Sequence, residues 1–411
     1  MVSKDQEVAP RLTRKKKLLF SLVTLLILLL ILEFGTRAYF AYKVGPSVLA
    51  YGTRLHRKQI KMGELKDFIE VGANLINQRA NWNKIRNVHY HTNRDGNYSK
   101  YFPHQKRFDF DVETGERFEV QINGKGFRGK EFDKQKSPGV IRVVTLGASS
   151  TFGYFNRDDT TYPVYLEQFL NERNTGDAQF EVINLGIPHQ DSAKIHALFL
   201  AEGIQLDPDI VTFYEGNNDV APGVWFVRTP NIVRKALVKV GDYSLLFALF
   251  HSILKNRTVV QDVTEFEQRV SALSRLYIDH ISDIEKECRD RGITFIVANQ
   301  QENSQSIDRE MLKGITYQEE VEKVRAKLRR IRKVNPWELT FLAHSVLMKD
   351  LSAWAKVNQI PFVDVISRLD QDRDVMMSWV HLSPKGNRMV AEAFAEEIIR
   401  HTSKVQTDLV P

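Results

Sequence analysis

The sequence predicts an α/β core of three layers, a parallel sheet between two sets of helices. Five short apolar stretches recur after Val140: Ile141–Leu146, Phe180–Asn184, Ile210–Tyr214, Thr294–Ala298 and Phe362–Val365. Each is β-branched or aromatic and nearly continuous in apolarity, the pattern of a strand buried on both faces. Helical patterns separate them, among them Tyr162–Asn171, Thr264–Arg291 and Pro336–Asn358. Such alternation builds a parallel sheet with crossover helices on both faces. Functional residues in these sheets gather beyond the carboxyl ends of the strands.

The composition agrees with a packed core. Of 411 residues, 43% are hydrophobic and 27% charged. The formal net charge of +7 sits largely in two clusters, Arg14–Lys17 and Lys323–Lys333, and no nucleic-acid partner is expected. The second cluster holds Arg325, Lys327, Arg329, Arg330 and Arg332 and reads as a solvated helical face. Cys288 is the single cysteine, which excludes an intramolecular disulfide. It lies in the helical pattern Glu285–Asp290 and reads as a packed thiol.

Near the N-terminus, Leu18–Leu32 is apolar apart from Ser21 and Thr24, and Arg14, Lys15, Lys16 and Lys17 precede it. The run is short for a span of about 20 residues. Tyr39 and Phe40 extend it into the far interface, with Glu33 and Arg37 snorkelling at the boundary. Residues 1–17 are therefore expected as a basic cytoplasmic tail and 18–40 as a transmembrane signal anchor. The positive-inside rule places the rest beyond the membrane. A cleaved signal peptide is the competing reading, but Glu33–Phe40 lacks a clean small-x-small cleavage site.

Residues 41–138 read as an accessory region, helical and polar to about 88, then rich in short strands and turns. Phe108–Val112 and Phe118–Asn123 alternate with period two. His89 and His91 alternate as well, but no cysteine or carboxylate cluster completes a metal site. No metal or cofactor is expected. Residues 139–402 form the α/β domain, with a helical insertion at about 220–292. The insertion contains Trp225-Phe226-Val227 and Tyr243–Phe250, flanked by Lys235, Lys239, Lys255 and Arg257. It reads as a cap over the site, as a segment resting on the bilayer, or as core packing.

Chemistry-bearing residues follow the strands. Leu146-Gly147-Ala148-Ser149-Ser150-Thr151-Phe152-Gly153 follows the first. A serine at a tight strand-to-helix turn projects its hydroxyl above the sheet, near backbone N–H groups able to stabilise an oxyanion. No Gly-Lys-Ser/Thr follows, so the loop is not a Walker motif. Asn184-Leu185-Gly186-Ile187-Pro188 follows the second strand and Tyr214-Glu215-Gly216-Asn217-Asn218-Asp219 the third. His381-Leu382-Ser383-Pro384-Lys385-Gly386-Asn387 precedes the last amphipathic helix.

Ser149, Gly186, Asn218 and His381, in this order, resemble the four blocks of the SGNH/GDSL hydrolases. The resemblance implies a flavodoxin-like α/β/α fold and a serine hydrolase. Ile122–Gly129 resembles the family's membrane-anchored bacterial members, as does the N-terminal span followed by Glu33–Arg37. By this resemblance Ser149 is the nucleophile and His381 its base. The oxyanion is held by the backbone N–H groups of Ser149 and Gly186 and by the Asn218 side chain. One position departs from the pattern. The family places an aspartate three residues before the histidine, and here Ser378 stands there. Asp374 or Asp372 from the preceding loop could orient the ring; Ser378 or a backbone carbonyl could do so in a dyad; or the site binds without hydrolysing.

The function implied is a membrane-anchored, extracytoplasmic ester hydrolase. Its expected substrate is an acyl ester of a cell-envelope glycan or lipid, a glycan deacetylase being the leading form. Two alternatives remain at this stage: an O-acyltransferase on a polysaccharide, and a noncatalytic glycan-binding envelope scaffold.

Overall fold

The computed structural model describes residues 13–44, 49, 90–92, 97–111, 116–174, 176–220, 240, 243–247, 259–260, 263–305, 307, 309–331, 333–334 and 336–408. The chain divides into two compact units. One comprises residues 1–81 and 228–255, the other residues 82–227 and 256–411.

The first unit contains α1 (Arg14–Val44). Its stretch Arg14–Tyr42 is long and apolar enough to cross a membrane. Residues 50–89, expected as helical at least to 88, lie outside the described residues, as does His89.

The second unit opens with β1 (Tyr90–Thr92), antiparallel to β2 (Ser99–Tyr101). A second antiparallel pair joins β3 (Arg107–Phe110) to β4 (Arg117–Val120). The core then runs through β5 (Val140–Gly147), α2 (Ser149–Phe152), α3 (Tyr162–Arg173), β6 (Gln179–Asn184), α4 (Ser192–Leu198) and β7 (Ile210–Tyr214). After the insertion come β8 (Val259–Val260), α5 (Val263–Arg289), β9 (Thr294–Ala298), α6 (Arg309–Leu312) and α7 (Tyr317–Ile331). The chain ends through β10 (Lys333–Val334), α8 (Pro336–Val357), β11 (Phe362–Val363), α9 (Val365–Leu369) and α10 (Pro384–Asp408).

Five strands form one parallel sheet in the order β11-β9-β7-β5-β6. Numbered within the sheet, this is the 2-1-3-4-5 order of flavodoxin-like folds. Alternate side chains sort to its two faces. Val144, Leu146, Ile183, Val211, Phe213 and Val297 join one core cluster, with α4, α5, α7 and α8. Val143, Val182, Ile210, Tyr214, Ile296 and Val363 join the other, with α3, α9 and α10. The sheet is therefore covered on both sides, and each fully buried Leu, Ile or Phe contributes roughly 1.5–3 kcal/mol.

Helix α5 is a crossover helix of the core. Its buried residues Phe266, Val270, Tyr277, Ile281, Ile284 and Cys288 recur at helical spacing and pack into the first cluster. Phe118, Val120, Ile122 and Phe127 belong to the same cluster as Leu146 and Phe152, because a two-stranded ribbon cannot bury its apolar face alone.

Candidate active site

The order of the sheet reverses between β5 and β7, and open α/β sheets bind ligands at that point. Ser149 begins α2 directly after β5, and Asn217 and Asn218 lie in the turn after β7. Two glycines permit the first arrangement. A Cβ on Gly147 would lie 2.0 Å from the Thr151 hydroxyl oxygen and 2.6 Å from the Tyr214 carbonyl oxygen. A Cβ on Gly186 would lie 2.4 Å from the Phe152 backbone nitrogen. Helix α2 can thus settle against the strand ends only if both positions lack side chains. Ala148, at its cap position, offers no side-chain acceptor. The first N–H groups of α2, which lack helical partners, keep their hydrogens for another acceptor.

The Ser149 hydroxyl lies 2.8 Å from Nε2 of His381, and both residues are buried. His381 sits in a tight hairpin closed by the Met376–Leu382 bridge and by Met377 N–H donating to the His381 carbonyl at 2.7 Å. Its ring is held by the rings of Tyr154 and Phe155, each with its centroid 5.2 Å away, and by Trp379 at 5.8 Å. Phe155 has φ +67°, a strained value for an aromatic residue. Its N–H donates to the Asp109 carboxylate of β3 at 3.1 Å. The accessory strands thus brace a residue that touches the histidine.

On the far side of the ring, Nδ1 lies 2.7 Å from the Ser378 hydroxyl. That hydroxyl also accepts from the backbone N–H groups of His381 and Val380, at 3.1 and 3.3 Å. Of the side chains expected to orient the ring, Ser378 is the one in hydrogen-bond contact with Nδ1. The Asp372 carboxylate points elsewhere, 3.0 Å from Lys385 Nζ and 3.8 Å from Lys313 Nζ. Asp374 lies in the 3₁₀ turn Asp370–Val375 ahead of the hairpin, and the ring nitrogen it was expected to reach is met by Ser378.

The Gly186 N–H donates to the Asn184 side-chain oxygen at 2.8 Å, and its missing Cβ admits the close approach of α2. Asn218 stands differently. Its side-chain amide donates one hydrogen to the Gln190 carbonyl at 2.8 Å. Its backbone N–H donates to Glu215 at 2.9 Å. The amide plane is fixed, and a –NH₂ group carries a second hydrogen.

Sequence reasoning missed the loop after β9. Asn299, Gln300, Gln301, Glu302, Asn303 and Ser304 are all buried. Gln300 donates to the Ser150 hydroxyl at 3.2 Å and accepts from the Asn217 N–H at 2.9 Å. Asn303 donates through its side chain to the Ser378 carbonyl at 3.0 Å, and through its N–H to the Trp379 carbonyl at 2.9 Å. Asn217 donates to Glu302 at 3.1 Å and accepts from the Trp379 indole N–H at 3.3 Å. One loop therefore ties together the serine, asparagine and histidine segments. The signal was present: a run of eight polar residues, Asn299–Ser306, directly after a buried strand. Burial pushes the carboxyls of this region up, Glu215 to about 8 and Asp219 to about 7, while Glu302 rises well above the usual range. Burial pushes His344 down to about 3. The 3.4 Å contact between Glu302 and His344 therefore joins neutral groups rather than ions.

The Ile122–Gly129 stretch gains a physical role through Arg128. Its guanidinium donates to the carbonyls of Phe152 (3.0 Å), Gly153 (2.7 Å) and Asn156 (2.6 Å) and to Asp158 (2.9 Å). It holds the orphan carbonyls at the end of α2. Arg128→Lys retains the charge but cannot fork to four acceptors. It is expected to lower unfolding stability by about 2–3 kcal/mol, read as a lower denaturant midpoint with unchanged slope; an unchanged midpoint would show that the clamp is idle.

A serine hydroxyl against an imidazole at the carboxyl end of a parallel α/β sheet, with an uncapped helix start beside it, defines a serine hydrolase-type site. Residues 145–389 match the model of the GDSL-like Lipase/Acylhydrolase family. The chain belongs to this family and is an ester-hydrolysing serine hydrolase. No curated protein matches it. Solved structures similar to it include a GDSL-like lipase from Bacteroides thetaiotaomicron (14% identity, 63% of this chain and 88% of that one, TM-score 0.36). A member of the lipolytic protein G-D-S-L family from Veillonella parvula is 11% identical over 62% of this chain and 97% of that one, with TM-score 0.37. The aryl esterase of M. smegmatis is 17% identical over 63% and 98%, with TM-score 0.34.

Proposed function

We propose that this protein hydrolyses an acyl ester of a cell-envelope glycan, working beyond the membrane to which α1 anchors it. The observation that carries the chemistry is the 2.8 Å contact of Ser149 with His381 Nε2, with Nδ1 held by Ser378. In the productive tautomer Nδ1–H donates to Ser378, and Nε2 accepts the Ser149 hydroxyl proton. Ser149 Oγ attacks the acyl carbonyl carbon as Nε2 takes that proton. The tetrahedral oxyanion receives hydrogen bonds from the Ser149 N–H and from the second amide hydrogen of Asn218. Collapse breaks the ester C–O bond, and the imidazolium protonates the departing alcohol. Water then attacks the acyl-Ser149 carbonyl while His381 takes its proton, releasing the carboxylic acid and restoring the serine. An acyltransferase would differ in the last step alone, a sugar hydroxyl replacing water.

The glycan reading is supported by a pair of half-buried indoles, one of them beside the histidine. Trp337 and Trp379 pack with centroids 4.7 Å apart, and Trp379 lies 5.8 Å from the His381 ring. Such rings present apolar faces with a polar handle, a surface suited to a sugar ring. The extracytoplasmic placement rests on the basic block Arg14–Lys17 ahead of α1. Labelling of the purified protein with a fluorophosphonate probe tests the enzyme reading. Wild type is expected to label and Ser149→Ala to lose the label entirely. A wild type that never labels would replace hydrolysis with glycan binding alone.

A further inference from the structure

Glu33 is the one acidic residue of α1, placed where the apolar run Leu18–Leu32 ends. A carboxylate at the edge of a bilayer is costly unless its hydrogen-bonding capacity is met. The sequence suggests that Glu33 and Arg37 reach outward to water. The structure turns them inward. One Glu33 oxygen accepts from Arg37 Nε at 2.6 Å and from the Leu245 N–H at 3.0 Å. The other accepts from the Ser244 hydroxyl at 2.6 Å and from the Leu246 N–H at 2.9 Å. The Phe247 N–H donates to the Ser244 hydroxyl at 3.2 Å. Arg37 also donates to the Tyr243 carbonyl at 2.9 Å and to the Leu49 carbonyl at 2.8 Å.

These bonds make Glu33 a cap supplied from another helix. Leu245, Leu246 and Phe247 are helical, and the N–H groups of a first helical turn have no internal partner. Glu33 takes two of them and Ser244 the third. An anion is also favoured at a helix N-terminus. All these residues belong to one compact unit, in which residues 228–255 join the N-terminal segment. Leu245 is buried, as is Phe40 of α1. In sequence, eight of the ten residues Leu245–Leu254 are apolar, and Lys255 and Arg257 follow.

We infer that Glu33 and Arg37 latch the helical turn Leu245–Phe247 onto the membrane anchor, and that this turn beds in the bilayer. Its partner is the lipid itself, acyl chains against Leu246 and Phe247. This rests on the reading of α1 as a membrane anchor. Continuity with α1, whose apolar stretch is exposed among the described residues, favours lipid as the occupant. The turn then acts as a membrane foot.

The test is spin-label depth measurement on the full chain in phosphatidylcholine–phosphatidylglycerol vesicles. The native chain gives the unlabelled background, since its single cysteine is fully buried. Leu246→Cys and Leu25→Cys each carry one label. Both labels are expected to be more accessible to oxygen than to a water-soluble nickel complex. Adding Glu33→Ala is expected to shift the label at 246 toward water, at least halving its oxygen-to-nickel ratio, and to leave the label at 25 in place. A label at 246 that reads water, or is reached by neither probe, while the label at 25 reads bilayer, overturns this inference alone. A label at 25 that reads water overturns the anchor and this inference with it. An unmoved ratio at 246 after Glu33→Ala overturns the latch.

Discussion

Ser378→Asp is expected to raise kcat on a small acyl ester tenfold or more, toward the roughly 10⁴-fold that an acid contributes in Ser-His-Asp triads. The Ser378 hydroxyl is 2.7 Å from Nδ1 of His381, so the position already has the right reach. What a hydroxyl lacks is charge. It can accept from Nδ1–H, or donate to Nδ1 and hold the ring in the tautomer that cannot act as base. It also does little to balance the imidazolium that forms during attack. A carboxylate imposes the productive tautomer and supplies the balancing charge. Asp372→Asn should stay near wild type, since that carboxylate is engaged with Lys385 and Lys313. Asp374→Asn should do the same if Ser378 orients the ring. The measurement is kcat/KM for the three variants and wild type. A fall of several orders of magnitude in Asp374→Asn, with no gain in Ser378→Asp, would transfer the orienting role to Asp374.

Asn218→Ala is expected to lower kcat by about 10²–10³-fold with little change in KM. That is the signature of a donor that acts on the transition state alone. The Gln190 carbonyl fixes one amide hydrogen of Asn218, so the other needs no reorganisation when the oxyanion forms. Asn217→Ala acts indirectly, by depriving the Trp379 indole of its acceptor, and should cost less than tenfold. Equal losses at both positions would mean that Asn217 also donates to the oxyanion.

Much of the site was legible because chain order and strand ends constrain it. Ser149, Asn218 and His381 follow buried strands or precede a helix in ways that local pattern reveals. The close packing that Gly186 permits was not legible, because a glycine looks alike in sequence whether its N–H is offered or its missing Cβ is needed. That difference depends on Phe152, which approaches from another segment. The polar run Asn299–Ser304 carried a signal, yet its partners lie in three remote stretches of chain.

By itself the sequence determined the α/β class, the five core strands, the apolar N-terminal helix and the order of the reactive residues. All are written in periodicities and in neighbours a few residues apart, where side-chain geometry is set by the backbone. The tertiary structure alone decided which group meets Nδ1 of His381, which contacts fix the Asn218 amide and what holds the carbonyls at the end of α2. It also decided that Glu33 caps a turn more than two hundred residues away. Each of these depends on a hydrogen bond or packing contact between distant segments. Such contacts exist only once the hydrophobic core has closed and buried polar groups must find partners.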